Sequence, residues 1–211
     1  MKVEIWSDVM CPFCYIGKRR FEKALEQFPG KEDVEITWKS FQLSPDIKTD
    51  PSKNINRFLA EHKGISFEQA KQMNEQVSAM AAKDGLQYNF DRSVLANSFN
   101  AHRLAQYAKT RDKQNEVEEA LFKAYFTDGK NIDDKETLIG LGESIGLEGE
   151  AVREVLESDR YAAEVRADIN EAGELGVRGV PFFVFNRKFA VSGAQDVSVF
   201  LQAFQNASQN P

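Results

Sequence analysis

The two cysteines of this 211-residue chain stand together as Cys11-Pro12-Phe13-Cys14, at the point where a short apolar strand turns into a helix. Upstream, Lys2-Val3-Glu4-Ile5-Trp6 alternates polar and apolar residues as a half-buried strand does. Downstream, Tyr15 to Leu25 carries apolar residues at helical spacing. Pro12 suits the first helical position, where its missing N–H is no loss, so Cys11 is expected at the N-cap and Cys14 about one turn inside. Cys11 is then the exposed thiol and Cys14 the sheltered one.

This placement carries a specific chemistry. The free N–H groups and partial positive charge at a helix start stabilise an anion, which favours the thiolate at Cys11, the nucleophile of disulfide exchange. Cys14 is close enough to attack a mixed disulfide on Cys11 and release the substrate. Two other readings compete. A Cys-x-x-Cys can be half of a zinc site, but that needs two further ligands. The chain has no other cysteine, and His62 and His102 lie far apart without ligand spacing, so no metal is expected. Two inert core cysteines are the other reading, and the position of Pro12 argues against it.

The run Val34 to Phe41 alternates as a second strand, parallel to the first across the intervening helix. Ser44-Pro45-Asp46 and Asp50-Pro51-Ser52 mark a loop, and from about Asn54 to Leu175 nearly everything reads as helix, interrupted by local turn signals. Ser66-Phe67-Glu68-Gln69 is a capping-box pattern opening a helix through Ala82. The β pattern returns in Val180-Pro181-Phe182-Phe183-Val184-Phe185, a turn at Asn186-Arg187-Lys188, and Phe189-Ala190-Val191-Ser192 as the antiparallel partner. A last helix follows through Val197, Phe200, Leu201 and Phe204, and the polar tail Ser208-Gln209-Asn210-Pro211 is expected to fray. The organisation is therefore a βαβ half over 1–53, a helical insertion over 54–175 and a ββα half over 176–211.

A net charge of −6 argues against a nucleic-acid partner held through phosphates. No stretch approaches the roughly eighteen apolar residues of a membrane span, and the strand begins within two residues of Met1 with no leader pattern, so a cytoplasmic location is expected. In a reducing compartment a lone cysteine pair is more often catalytic than structural.

Strand, Cys-x-x-Cys helix, strand, and then Val180-Pro181 ahead of a hairpin and a last helix resembles the thioredoxin fold, and the helical insertion resembles its DsbA-like subgroup. The wording Trp6-Ser7-Asp8-Val9-Met10-Cys11-Pro12-Phe13-Cys14-Tyr15-Ile16-Gly17, Asn97-Ser98-Phe99-Asn100-Ala101-His102-Arg103 and Gly179-Val180-Pro181-Phe182-Phe183-Val184-Phe185 is similar to the FrnE branch of DsbA-like dithiol oxidoreductases. The resemblance implies an α/β fold with a large all-helical insertion, and thiol–disulfide exchange with Cys11 as nucleophile and Cys14 as resolving thiol. It also implies a cis peptide bond before Pro181, with the Val180 backbone exposed to an extended substrate. Pro12 and Phe13 would border the same substrate. No bound cofactor is expected. Partners would be protein or peptide thiols and disulfides, or glutathione as a co-substrate; the sequence leaves the oligomeric state open. One departure matters: periplasmic DsbA oxidases carry histidine between the cysteines, and Phe13 in its place implies a weaker oxidant.

Two rival classes resemble this fold. Kappa-class glutathione transferases and 2-hydroxychromene-2-carboxylate isomerases carry serine at the position of Cys11, and a chaperone-like peptide-binding module would ignore redox state. Among the remaining residues, Asp8 reads as fixing the loop before the helix or relaying a proton. His102 reads as a partly buried core histidine. Trp6 and Phe41 read as sheet core, Tyr15 with Phe13 as candidate lining of an apolar groove, and Lys18-Arg19-Arg20 and Glu116-Glu118-Glu119 as solvated helix faces.

Overall fold

The computed structural model describes residues 1–209. In chain order its elements are β1 (Lys2–Ser7), α1 (Pro12–Gln27), β2 (Glu35–Ser40), β3 (Asp50–Asn54), α2 (Ile55–Lys63), α3 (Phe67–Lys83), β4 (Val94–Leu95), α4 (Phe99–Lys109), α5 (Gln114–Phe122), α6 (Lys135–Ser144), α7 (Gly149–Glu157), α8 (Ala162–Glu174), β5 (Phe182–Phe185), β6 (Phe189–Ser192) and α9 (Val197–Gln209). Ser208 and Gln209 thus belong to a helix rather than a frayed tail, and Asn210 and Pro211 lie outside the described residues. The chain divides into two compact units, one of Met1–Leu43 with the segment from Ala163 onward, the other of Ser44–Ala162.

The first unit is a four-stranded sheet in the order β2-β1-β5-β6. β1 runs parallel to β2, with Ile5 opposite Trp38, and antiparallel to β5, with Ile5 opposite Phe183. The period-2 alternation sorts the side chains by face. Val3, Ile5, Trp38, Phe183 and Phe185 pack with Phe21 and Ala24 of α1 and with Phe200 and Phe204 of α9. Phe21 is the hub, its ring 5.4 Å from Phe183, 5.9 Å from Phe200 and 5.3 Å from Phe204. Truncating such a buried ring to alanine costs about 3–5 kcal/mol. On the opposite face Trp6 packs with Ala172 and Val177, and Phe41, Val180, Phe182 and Val184 border that cluster.

α1 starts as its sequence requires, with Cys11 extended at the N-cap (φ −88°, ψ 112°) and Pro12 in the first turn. It holds one glycine in its interior, Gly17, at a position where glycine costs about 1 kcal/mol relative to alanine. The hairpin between β5 and β6 turns on two residues with left-handed backbone, Asn186 (φ 48°) and Arg187 (φ 55°). Asparagine tolerates that region readily. Arg187 is held there by its guanidinium on Glu4 and Glu171.

The second unit is mostly helical. Ser66 and Gln69 form the expected capping box at the start of α3, each side chain bonding the other's backbone N–H. Arg103, 5% exposed, reaches the carbonyl oxygens of Val155, Ser158 and Arg160 and so ties α4 to the end of α7. Where a loop is expected, Asp50–Asn54 forms a strand paired with the two residues of β4 through an irregular antiparallel register. Its Pro-Ser turn signals are real but local: Asp50 Oδ1 accepts from the Ser52 backbone N–H and hydroxyl.

The two compact units divide after Leu43 and after Ala162, where the sequence pattern placed the insertion over 54–175. Beyond Leu43 the chain is already tied into the second unit, since the Asn97 side chain donates to the carbonyls of Pro45 and Ile47. At the other end α8 belongs with the sheet. Trp6 Nε1 donates to the Asp168 carbonyl oxygen at 3.0 Å, and the Asp168 carboxylate accepts from Ser40 N at 3.0 Å and Lys39 Nζ at 2.9 Å.

Candidate active site

β1 and α1 meet in a tight turn that brings both thiols to the end of the sheet. Asp8 builds this turn. Its carbonyl accepts from Cys11 N at 2.9 Å, its Oδ1 from Met10 N at 3.2 Å, and its Oδ2 from Leu43 N at 2.8 Å. Asp8 is itself 2% exposed, so the loop-fixing reading is the one its contacts match.

Cys11 is not the exposed thiol that its N-cap position suggests. It is 3% exposed, because Cys11 Sγ lies under the chain at Val180 and donates to the Val180 carbonyl oxygen at 3.5 Å. The Val180–Pro181 peptide bond is cis, as expected, and Pro181 is buried while Val180 is half-buried. The Pro181 carbonyl accepts from Gly193 N at 2.8 Å, which fastens this corner to the end of β6. Phe13 is 40% exposed and Pro12 half-buried, so of the residues between the cysteines only Phe13 presents a broad surface.

Cys14 is fully buried. Burial pushes its thiol well above the ordinary range, and the neighbouring Cys11 sulfur adds to this through a hydrogen bond and through charge. Two groups pull the other way, the Asp8 backbone N–H and the Ser7 hydroxyl. Ser7 Oγ is buried and makes no hydrogen bond among the described residues, which leaves its hydroxyl free to favour the Cys14 thiolate. Sequence reading missed Ser7. Its signal was present in the strand alternation, which puts a hydroxyl on the same face as Val3 and Ile5 where an apolar residue belongs.

Trp6 and Tyr15 are core residues, 0% and 3% exposed, and Phe41 packs at the edge of the Trp6 cluster, so none of the three lines an open groove with Phe13. Lys18 is likewise not part of a solvated face. It is 1% exposed and paired with Glu22, while Arg20 donates to the Ala194 carbonyl at 2.7 Å. Glu118 is buried too, at 3%. His102 lies buried within α4 of the second unit. Among the described residues no group of three or more His, Cys, Asp or Glu side chains could hold a metal ion, and no helix is long and apolar enough to cross a membrane.

Comparisons with known proteins place the whole chain in one family. Residues 2–205 fit the model of the DSBA-like thioredoxin domain. The chain belongs to this family. It is 41% identical to the probable DsbA oxidoreductase SCO1869 from Streptomyces coelicolor, whose crystal structure superposes with a TM-score of 0.92 over 100% of this chain and 91% of that one. It is 30% identical to the uncharacterized protein YwbO of Bacillus subtilis (strain 168), over 97% of this chain and 96% of that protein. A 2-hydroxychromene-2-carboxylate isomerase shares the fold at 18% identity, with a TM-score of 0.72 and 100% of both chains covered.

Proposed function

We propose that this DSBA-like protein is a thiol–disulfide oxidoreductase acting on protein, peptide or small-molecule disulfides through Cys11 and Cys14. The observation that carries the reading is the contact of Cys11 Sγ with the Val180 carbonyl oxygen beside cis-Pro181, with Cys14 buried one turn inside the same helix. The relative SCO1869, described as a probable DsbA oxidoreductase, supports it.

In the reductive direction the Cys11 thiolate attacks one sulfur of a substrate disulfide R–S–S–R′. The Cys11–S–S–R bond forms, and R′–S⁻ leaves and takes up a proton. Cys14 then gives up its proton and attacks Cys11 Sγ, which closes the Cys11–Cys14 disulfide and releases R–S⁻. Two electrons pass from the cysteine pair to the substrate, and reversal of the same steps oxidises a dithiol. The Val180 backbone N–H has no partner among the described residues, so an extended substrate chain can pair with it while its sulfur reaches Cys11. Pro12 and Phe13 border the approach, and Phe13 supplies its apolar contact.

The isomerase neighbour raises a glutathione-dependent reading, in which glutathione's own sulfur reacts. Retention of cysteine at both positions favours exchange through the protein's thiols. The test is turnover of a disulfide-bonded peptide, with and without glutathione, by the parent and by Cys11→Ser. Loss of turnover in the variant is expected. Full activity in Cys11→Ser overturns the reading, and undiminished glutathione-dependent turnover in a Cys11→Ser, Cys14→Ser protein establishes the alternative.

A further inference from the structure

We infer that Gly17 is a positioning residue of this site: its missing side chain lets the Pro181 ring lie directly on α1, and that seat sets where the Val180 backbone stands relative to Cys11. The inference rests on the exchange reading above for its functional meaning, but its geometric content stands apart from it.

Glycine is among the poorest residues for the interior of a helix, and nothing in the local backbone calls for it, because Gly17 is absent from the residues with left-handed φ. The reason lies in what approaches it. A Cβ built on Gly17 would fall 2.8 Å from Pro181 Cγ, 3.4 Å from Pro181 Cβ and 3.4 Å from Phe183 Cζ. Carbon atoms in good contact sit about 3.5–4.0 Å apart, so the first of these is a clash. Gly140 and Gly173, also within helices, have nothing within 4 Å of the same constructed atom. Gly142 of α6 and Gly149 of α7 are crowded as well, by Val152 and Glu143, so what sets Gly17 apart is that the crowding group is Pro181.

The two neighbours differ in their freedom to yield. Phe183 is fully buried, with its ring 5.4 Å from Phe21 and 4.7 Å from Phe200, and a dense core resists displacement. Pro181 is buried too, and its carbonyl is tied to Gly193 N at 2.8 Å, but it stands at the start of the hairpin outside the aromatic cluster and is bonded to a half-buried Val180. A methyl group at position 17 is thus accommodated by moving Pro181 outward, and Val180 moves with it. That motion lengthens the 3.5 Å contact between Cys11 Sγ and the Val180 oxygen and uncovers a sulfur whose residue is now only 3% exposed. It leaves the helix start and the Ser7 and Asp8 contacts of Cys14 where they are. Gly17 accordingly acts on substrate docking through Pro181, not on the electron chemistry of the pair.

The test is Gly17→Ala, read in three ways. Turnover of a disulfide-bonded peptide should lose about tenfold in kcat/KM, carried mainly by KM, as expected when a docking interaction is weakened. The equilibrium constant with glutathione, which reports the potential of the Cys11–Cys14 pair, should stay within about twofold. Alkylation of reduced Cys11 by iodoacetamide should accelerate several-fold; this readout needs no substrate. In a Pro181→Ala background, which removes the clashing Cγ, Gly17→Ala should cause no further change in turnover or alkylation. If Gly17→Ala alone fails to fold, recovery of folding in the double variant demonstrates the same coupling, and failure of both overturns it. The inference is also overturned by unchanged kcat/KM and alkylation in the single variant, or by effects that persist undiminished in the Pro181→Ala background. A parent protein without exchange activity overturns the functional reading instead, and alkylation still decides the seat.

Discussion

Cys11 Sγ and the carbonyl oxygen of Val180 meet at 3.5 Å across 169 residues of chain. The contact joins the start of α1 to the corner before β5, and it reverses the simple expectation that an N-cap thiol is open to solvent. The nucleophile is sheltered by the backbone that would receive its substrate. On the proposed function, a substrate strand laid along Val180 would arrive beside the sulfur already aligned, which would favour disulfides that can approach in an extended form.

The proposed roles of the two thiols predict which variant accumulates an intermediate. With Cys14→Ser, Cys11 still attacks, but nothing resolves the mixed disulfide, so a covalent adduct with a peptide substrate should build up. Intact-mass measurement should find the parent's mass plus one substrate sulfur chain, removed by dithiothreitol. Cys11→Ser should give no adduct. An adduct on Cys14 in the Cys11→Ser protein at a rate matching the parent would reverse the assigned roles.

If Cys14 resolves the mixed disulfide as proposed, the buried Ser7 hydroxyl should help set the pH at which it does so. In the mixed disulfide Cys11 carries no thiol and no charge, so its upward influence on Cys14 is gone, leaving burial opposed by the Ser7 hydroxyl and the Asp8 N–H. The resolving rate should rise with pH as Cys14 ionises. Ser7→Ala removes the hydroxyl that favours the Cys14 thiolate and so pushes that thiol higher still; a hydrogen bond formed to the thiolate during resolution would be worth about 1.5 kcal/mol, or roughly tenfold. Resolution at neutral pH should slow by about that factor, and the profile should move to higher pH. Stopped-flow measurement of substrate release across pH 6–10 checks this, and overlapping profiles would remove Ser7 from the mechanism.

Phe13 carries a prediction about the direction of the proposed exchange. The residue between the cysteines is an apolar ring, 40% exposed, and supplies no cation of its own. Phe13→His should stabilise the reduced pair and raise its reduction potential, with about 30 mV for each tenfold change in the exchange constant. Equilibration with glutathione measures this directly. A potential unchanged by the substitution would mean that the buried surroundings of the pair, not the residue between the cysteines, set its poise.

Much of this was legible in the sequence because it rests on local rules. Pro12 fixed the helix start, the alternation in β1 and β5 sorted core from edge, and Ser66 with Gln69 announced a capping box. What escaped was whatever depends on packing or on a partner outside the local pattern. Lys18 reads as one of three solvated cations until Glu22 and the packing of α1 bury it. Asp50–Asn54 reads as a loop until β4 pairs with it. The exposure of Cys11 was misread for the same reason, since Val180 covers it from the far end of the chain. α8 could be assigned to the sheet only once Asp168 was seen to satisfy Trp6, Lys39 and Ser40 together.

That last group carries a prediction about stability. Lys39 is 15% exposed in its side chain and lies 2.9 Å from Asp168, 3.0 Å from Glu171 and 3.9 Å from Glu4, with its Nζ over the Trp6 ring. Burial works against its charge, but the hydrogen bonds from Asp168 and Glu171 outweigh burial, and the ammonium is held above its ordinary range. For Glu171, burial favours the neutral acid, while Lys39 and Arg187 overcome it and hold the carboxyl low. A raised lysine stabilises the fold below its unfolded pKa of about 10.4 and loses that contribution as pH rises through the folded value. A lowered glutamate stabilises above about pH 4.3 and loses its contribution as pH falls through its folded value. The cluster therefore supports a plateau from about pH 5 to pH 10 that falls away on both sides. Lys39→Met keeps the aliphatic stem but strands Asp168, whose carboxylate is 9% exposed, beside two further acids. The loss should be about 2–4 kcal/mol at pH 7, near the range for breaking a mostly buried ion cluster. Urea unfolding at pH 4, 7 and 10 should show the variant least handicapped at pH 4, where protonation relieves the stranded carboxylates. An equal deficit at all three values would mean that Lys39 acts through the packing of its stem against Trp6 rather than through its charge.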